Sequence, residues 1–164
     1  MAKLVVMGVT GSGKTTVGQA LARRLGLPFA DGDEFHGPAN VAKMAAGIPL
    51  NDEDRLPWLR SVGGWLADHP DGGVIGCSAL KRAYRDLLRE YSPDARFVHL
   101  AGSPEVVRRR VAEREGHFMP ESLVASQFEA LEPLGPDEAG IVLDLDLPVE
   151  ELVDAYLRSS KPAR

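Results

Sequence analysis

Apolar residues along the chain fall into two alternating patterns. Short unbroken runs, bounded by turn residues, read as strands buried on both faces. They predict strands over 3–8, over Leu27-Pro28-Phe29-Ala30 running into Asp31-Gly32-Asp33, over Val74–Cys77, over Arg96–Leu100 and over Ile141–Leu143. Between them, apolar residues recur at helical spacing. Val17, Ala20, Leu21 and Leu25 form one such stripe, which Gly26 ends. A short helix is predicted over 39–46, after Pro38. A longer one starts at Asn51-Asp52-Glu53-Asp54 and runs to about Asp68, with Leu59, Val62 and Leu66 inward and Pro57 near its first turn. Further helices are predicted over 82–90, from Pro104 to about Glu115, over 121–131, and from Pro148 to near Arg158. Strand–helix alternation of this kind implies an α/β three-layer sandwich around a five-stranded parallel sheet. Neither a long linker nor a repeat divides the 164 residues, so one domain is expected, with a frayed tail over 159–164.

The junction of the first strand and helix carries a motif. Gly8-Val9-Thr10-Gly11-Ser12-Gly13-Lys14-Thr15 is a complete G-x-x-x-x-G-K-[ST] phosphate loop in the strand–loop–helix setting that such a loop requires. Its glycines let backbone N–H groups turn toward phosphate oxygens, and the helix that follows presents a partly positive N-terminus. Candidate nucleotide contacts are Gly8, Thr10, Gly11, Ser12, Gly13, Lys14, Thr15 and Thr16. In such loops the Lys reaches the β- and γ-phosphates of a nucleoside triphosphate and the hydroxyl ligates Mg²⁺.

Composition narrows the partners. The chain is 44% hydrophobic and 26% charged, as in ordinary globular proteins, and its net charge of −5 disfavours a nucleic-acid partner. The lone Cys77 precludes an internal disulfide and suits a reducing compartment. The first strand lies close to Met1, and no apolar run approaches the roughly 20 residues of a membrane span. A cytoplasmic protein without a membrane partner is expected.

The remaining polar clusters ask what receives the phosphate. Strand C-termini in a parallel sheet share one edge, so Asp31-Gly32-Asp33 is expected to face the phosphate loop. One carboxylate would serve the Mg²⁺ side, assigned to Asp31 together with Thr15. The other, Asp33, would accept the proton of an attacking hydroxyl. The third strand ends in Cys77-Ser78, where many nucleotide-binding folds place an Asp, so metal binding leans on Thr15 and Asp31. Cys77 reads as a packing residue, Ser78 as a polar group on the metal or substrate side, and Trp58 and Trp65 as helix packing rather than a substrate platform. Arg110 and Arg114 share a helix face before Gly116-His117-Phe118, which suggests a closing lid over roughly 110–130. Arg108 and Arg109 read as surface charges. His36, Lys43, Asp52, Asp54 and Arg55 crowd the segment between the second and third strands, where a hydroxylated, anionic acceptor would sit. Its carboxylate would want a cation, and Lys43, Arg55, Lys81 and Arg85 are all candidates.

Several blocks together are more specific than the loop. They are Asp31-Gly-Asp-Glu-Phe-His36, Asn40-Val-Ala-Lys-Met44, Gly47-Ile-Pro-Leu-Asn-Asp-Glu-Asp-Arg55, Cys77-Ser-Ala-Leu-Lys81, Tyr84-Arg-Asp-Leu-Leu-Arg89, Gly116-His-Phe118 and Gln127-Phe-Glu-Ala-Leu-Glu132. With the phosphate loop they span nearly the whole chain, which resembles the bacterial gluconate kinase (gluconokinase) family. The resemblance implies an adenylate-kinase-like P-loop fold with a helical lid, a homodimer, and transfer of the ATP γ-phosphate to the 6-hydroxyl of D-gluconate. Its product, 6-phospho-D-gluconate, would enter carbohydrate-acid catabolism and the pentose phosphate pathway. It supports Lys14, Asp33 and Arg114 as catalytic residues, with Arg110 stacking on adenine. His36, Lys43, Asp54, Arg55, Lys81, Arg85 and His117 become acceptor-side candidates. The rival expectations are the same chemistry on shikimate or a nucleoside monophosphate, and a nucleotide-dependent switch. The Asn51-Asp52-x-Asp54-Arg55 block argues against the former, and the missing Asn-Lys-x-Asp tetrapeptide against a guanine-specific form of the latter.

Overall fold

A computed structural model describes residues 2–113 and 121–160. Arg114, His117 and residues 161–164 lie outside the described residues, while Ser159 and Ser160, expected in the frayed tail, close the last helix instead. The elements in order are β1 (Lys3–Met7), α1 (Lys14–Leu25), β2 (Phe29–Asp31), α2 (Pro38–Ala45), α3 (Asp52–Ala67), β3 (Gly73–Gly76), α4 (Arg82–Tyr91), β4 (Arg96–Ala101), α5 (Pro104–Glu113), α6 (Glu121–Ala130), β5 (Gly140–Asp144) and α7 (Val149–Ser160). A single 3-10 turn, Gly32–Phe35, follows β2.

All five strands pair in parallel in the order β2-β3-β1-β4-β5. The side chains alternate across the sheet as the period of two requires. Leu4, Val6, Val98 and Leu100 pack beneath Val17 and Leu21 of α1 and Leu152, Val153 and Tyr156 of α7. Val5, Met7, Ile75 and Phe97 pack on the opposite side, against Trp58, Leu59, Val62 and Leu66 of α3 and Tyr84 and Leu88 of α4. The result is the three-layer arrangement that the alternation predicted. Burying one such aliphatic or aromatic side chain contributes about 1.5–3 kcal/mol, so the two faces of the sheet hold the fold.

Chain order explains where ligands gather. From β1 the chain lays β2 and β3 on one side, then crosses to lay β4 and β5 on the other. The reversal opens a crevice at the C-terminal edge beside β1, where the phosphate loop begins.

Two helix starts are built locally. Asn51 accepts from Asp54 N–H at 2.8 Å while Asp54 accepts from Asn51 N–H at 3.0 Å, a reciprocal capping box. Pro57 stands one turn deeper than expected, inside α3, and withholds the N–H that the Glu53 carbonyl would otherwise accept. α1 begins on Gly13, whose left-handed φ of 94° lets the loop turn into the helix without a Cβ clash.

Candidate active site

The phosphate loop and the turn after β2 meet at this edge. The meeting depends on Gly32: a Cβ there would lie 2.3 Å from the Gly76 carbonyl oxygen, which no backbone can accommodate. Asp31 caps the turn, its Oδ1 accepting from Asp33 N–H at 3.0 Å, and its Oδ2 lies 3.5 Å from the Thr15 hydroxyl. Lys14 donates from Nζ to the Gly8 and Val9 carbonyls, 3.0 Å each, which draws its ammonium over the loop.

Two cavities open here. The first, about 350 Å³, is lined by loop residues Thr10, Gly11, Gly13, Lys14, Thr15 and Thr16, with Asp33, Arg110 and Glu113. The second, about 360 Å³, is lined on one side by Asp33, His36, Arg55, Trp58 and Ser78 and on another by Leu123, Ser126 and Gln127 of α6. Thr10, Lys14 and Asp33 line both. A smaller adjoining space of about 260 Å³ brings Lys81 beside Arg55, Asn51 and Asp52.

Within the first cavity the predicted residues sit as a cradle, with two exceptions. Ser12 is buried with its hydroxyl unpartnered beneath the loop, and Gly8 packs against it, so neither side chain position faces the cavity. Arg110 lines the space, but its guanidinium also donates to the Leu145 carbonyl at 2.5 Å. Arg109 is a surface charge 3.7 Å from Asp146. Thr15 and Asp31 present two hard oxygens beside the loop, a donor set suited to Mg²⁺. Among the described residues no three His, Cys, Asp or Glu side chains converge as a metal cage. That is compatible with Mg²⁺, which takes few protein ligands and fills its octahedron with water and phosphate oxygens.

The second cavity revises several expectations. Arg85 does not reach it: the side chain is fully buried, its Nε and Nη2 bonded to the Glu138 carboxylate at 2.7 and 2.9 Å and its Nη atoms to the Ala79, Leu80 and Pro133 carbonyls. With every face engaged by protein, no donor is left for an acceptor, and Arg85 is corrected from a substrate cation to a structural one. Its charge and hydrogen bonds hold the Glu138 carboxyl well below the usual carboxylate range, against burial, which alone would raise it. The sequence signal was present: Arg85 shares the inward face of α4 with Tyr84 and Leu88.

Lys43 and Asp54 are likewise turned to each other, 2.8 Å apart, with the same Asp54 oxygen closing the cap of α3; neither lines the cavity. The Lys43 hydrogen bond keeps the Asp54 carboxyl below its ordinary value. Lys81 pairs with Asp52 at 3.3 Å, and the Tyr84 hydroxyl donates to the same carboxylate. Tyr84 also lies under Arg55 and Lys81, 5.5 and 5.6 Å from its ring, and gathers both cations on one side of the site. Of Lys43, Arg55, Lys81 and Arg85, Arg55 is the one that lines the second cavity, where Lys14 of the loop is the other cation among the described residues.

Trp58 packs α3 as expected, at 3% exposure, yet is also a cavity wall. Its Nε1 donates to the Gly32 carbonyl at 2.7 Å and its ring stacks on His36 with centroids 4.3 Å apart. Burial depresses the His36 pKa, with Asp33 opposing and Arg55 reinforcing that shift. Cys77 is buried behind the site and its thiol is pushed up to about 12, chiefly by burial, which fits a packing residue. Gln127, unassigned in the sequence, accepts from the Thr10 N–H of the loop at 2.5 Å.

The chain has relatives among known proteins. The family model described as Shikimate kinase matches residues 10–133. The gluconokinase of Gluconobacter oxydans strain 621H is 48% identical over 157 residues, covering 92% of this chain and 88% of that protein. The crystal structure of a gluconokinase from Sinorhizobium meliloti 1021 is 47% identical and superimposes with a TM-score of 0.90 over 96% of this chain and 90% of that one. A shikimate kinase from Bacteroides thetaiotaomicron, 20% identical at a TM-score of 0.70, shares the fold. With relatives of 40–48% identity over most of its length, the chain belongs to the gluconokinase family of P-loop kinases.

Proposed function

We propose that the protein phosphorylates D-gluconate at its 6-hydroxyl with ATP, giving 6-phospho-D-gluconate and ADP. The observation that carries this reading is the shared wall: Lys14 and Asp33 border both the phosphate-loop cavity and the polar cavity beside it. A phosphoryl group held by the loop and a hydroxyl held at Asp33 would thus meet without a barrier between them. The 48% identity to a gluconokinase supports gluconate as the acceptor.

In this reading the loop amides and Lys14 position the β- and γ-phosphates, and Asp33 orients and deprotonates the primary hydroxyl. Arg55 pairs with the acceptor carboxylate. Mg²⁺, when bound, neutralises charge on the phosphates, and Thr15 and Asp31 are the residues that would hold it. Arg110 contacts the nucleotide. The family resemblance supports a lid over roughly 110–130, with Arg114 and His117 as its site residues, both outside the described residues. The family resemblance supports a homodimer, and the single cysteine a cytoplasmic setting.

A coupled ADP-release assay across gluconate, shikimate and AMP, with products identified by mass, tests the acceptor. Turnover of gluconate alone is expected; turnover of shikimate instead would transfer the reading to the match over residues 10–133. Asp33→Asn should lower kcat by about 100-fold or more while leaving the KM for ATP in place. Full turnover in that variant would remove the base.

A further inference from the structure

We propose that Asn40 is a positioning residue that locks His36 in its Nε2–H tautomer and so makes His36 a fixed hydrogen-bond donor to a hydroxyl oxygen of the acceptor. The use of that donor rests on the reading of the second cavity as the acceptor site; the lock itself does not.

The lock follows from donor and acceptor chemistry. Asn40, on α2, is 9% exposed, and its Nδ2 lies 2.8 Å from the Asp54 carbonyl oxygen. A carbonyl oxygen only accepts, so the amide nitrogen of Asn40 must face it. This settles which way the amide points. The same nitrogen lies 3.1 Å from His36 Nδ1. An amide NH₂ only donates, so Nδ1 must offer a lone pair. A neutral imidazole with its lone pair at Nδ1 carries its proton at Nε2. An imidazolium would set an N–H of the ring against an N–H of Asn40 and lose the bond. The groups facing the ring are Asp33, whose charge favours the imidazolium, and Arg55, whose charge opposes it, and burial opposes it further.

The ring is fixed in its plane as well as its tautomer. It stacks on Trp58 at an interplanar angle of 16°, and Trp58 is held by the Gly32 carbonyl. His36 lines the cavity, and its Nε2 has no protein partner among the described residues. A donor without a lone pair at that nitrogen cannot take a proton from the attacking hydroxyl. Proton acceptance is left to Asp33, and His36 discriminates for an acceptor with an oxygen placed to receive its N–H.

Long-range proton–nitrogen NMR on protein with isotope-labelled histidine reads the tautomer directly, with His36→Gln used to assign its signals. The Nε2–H pattern is expected for His36 in wild-type protein at neutral pH. Asn40→Leu should mix the tautomers, and Asn40→Asp should move the ring toward the imidazolium. In kinetics, Asn40→Leu should raise the KM for gluconate by about tenfold, equivalent to about 1.4 kcal/mol, with the KM for ATP unmoved. His36→Gln, which keeps an N–H donor, should retain more gluconate affinity than His36→Phe. An Nδ1–H or imidazolium pattern in the wild type overturns the lock, even if no variant folds. An Nε2–H pattern that gluconate leaves unshifted keeps the lock and overturns the donor role, while turnover of gluconate in the same sample shows whether the acceptor reading stands.

Discussion

Replacing Arg85 with methionine separates structure from substrate binding. The side chain is 0% exposed and donates to one carboxylate and three carbonyls. Removing one member of a buried ion pair costs about 3–5 kcal/mol, because the partner charge is left without compensation. Here Glu138 would keep the Arg89 guanidinium at 3.0 Å and the Gly135 N–H at 3.0 Å. The cost for Arg85→Met should therefore lie near the lower end, about 3 kcal/mol. Glu138→Leu leaves a buried guanidinium with carbonyl partners and no facing carboxylate, and should lie near the upper end, about 5 kcal/mol. At about 2–4 °C per kcal/mol for a chain of this size, Arg85→Met should lower Tm by about 6–12 °C. The double variant should cost less than the sum of the two, since neither charge is stranded. Calorimetry and urea titration measure the stability, and steady-state kinetics at a permissive temperature measure the KM for gluconate, which should stay within about twofold of wild type. Unchanged Tm with a tenfold rise in that KM would refute the assignment and return Arg85 to the acceptor.

Other expectations follow from single contacts. His99 is buried with its pKa lowered to about 4, by burial first and by the Arg85 charge second. The unfolded chain then binds the extra proton between about pH 6.5 and 4, so stability should be full above that window and fall through it by up to about 3 kcal/mol; His99→Gln should flatten this part of a pH–stability curve, and an unaltered curve would exclude His99 as its source. Gly32→Ala should lower both Tm and kcat, because the Asp31–Asp33 turn must withdraw from Gly76 to admit the methyl; wild-type values for both would show that the approach is not needed. Asn51→Ala removes the cap of α3 and should cost about 1 kcal/mol in urea denaturation, with no loss contradicting the capping box.

Much of the architecture was legible because it is written in local pattern. The strand runs are mostly apolar, as a sheet covered on both faces requires, and Gly26 and Asn51 mark helix ends through their own backbone chemistry. The phosphate loop was legible for the same reason. The acceptor side was less so, since charge type does not reveal which opposite charge lies across the fold. Lys43, Lys81 and Arg85 look alike as cations in sequence, yet each is paired, with Asp54, Asp52 and Glu138 respectively, through contacts 11, 29 and 53 residues apart. The heptad spacing of Trp58 and Trp65 points to helix packing; that the Trp58 indole also walls a cavity depends on where the turn after β2 comes to rest. Pro57 shows a third limit, since its neighbours supply enough packing to keep α3 helical through a missing bond.

The wall shared by the two cavities has a consequence for economy of fuel. With Lys14 and Asp33 open to both sides, whatever occupied the second cavity would, on the proposed reading, confront the phosphoryl group, and water is the most abundant competitor in solution. On the proposed reading, wasteful ATP hydrolysis is the built-in rival reaction. Selectivity against it lies in the timing of acceptor binding, because the partition that would block water would also block the sugar acid.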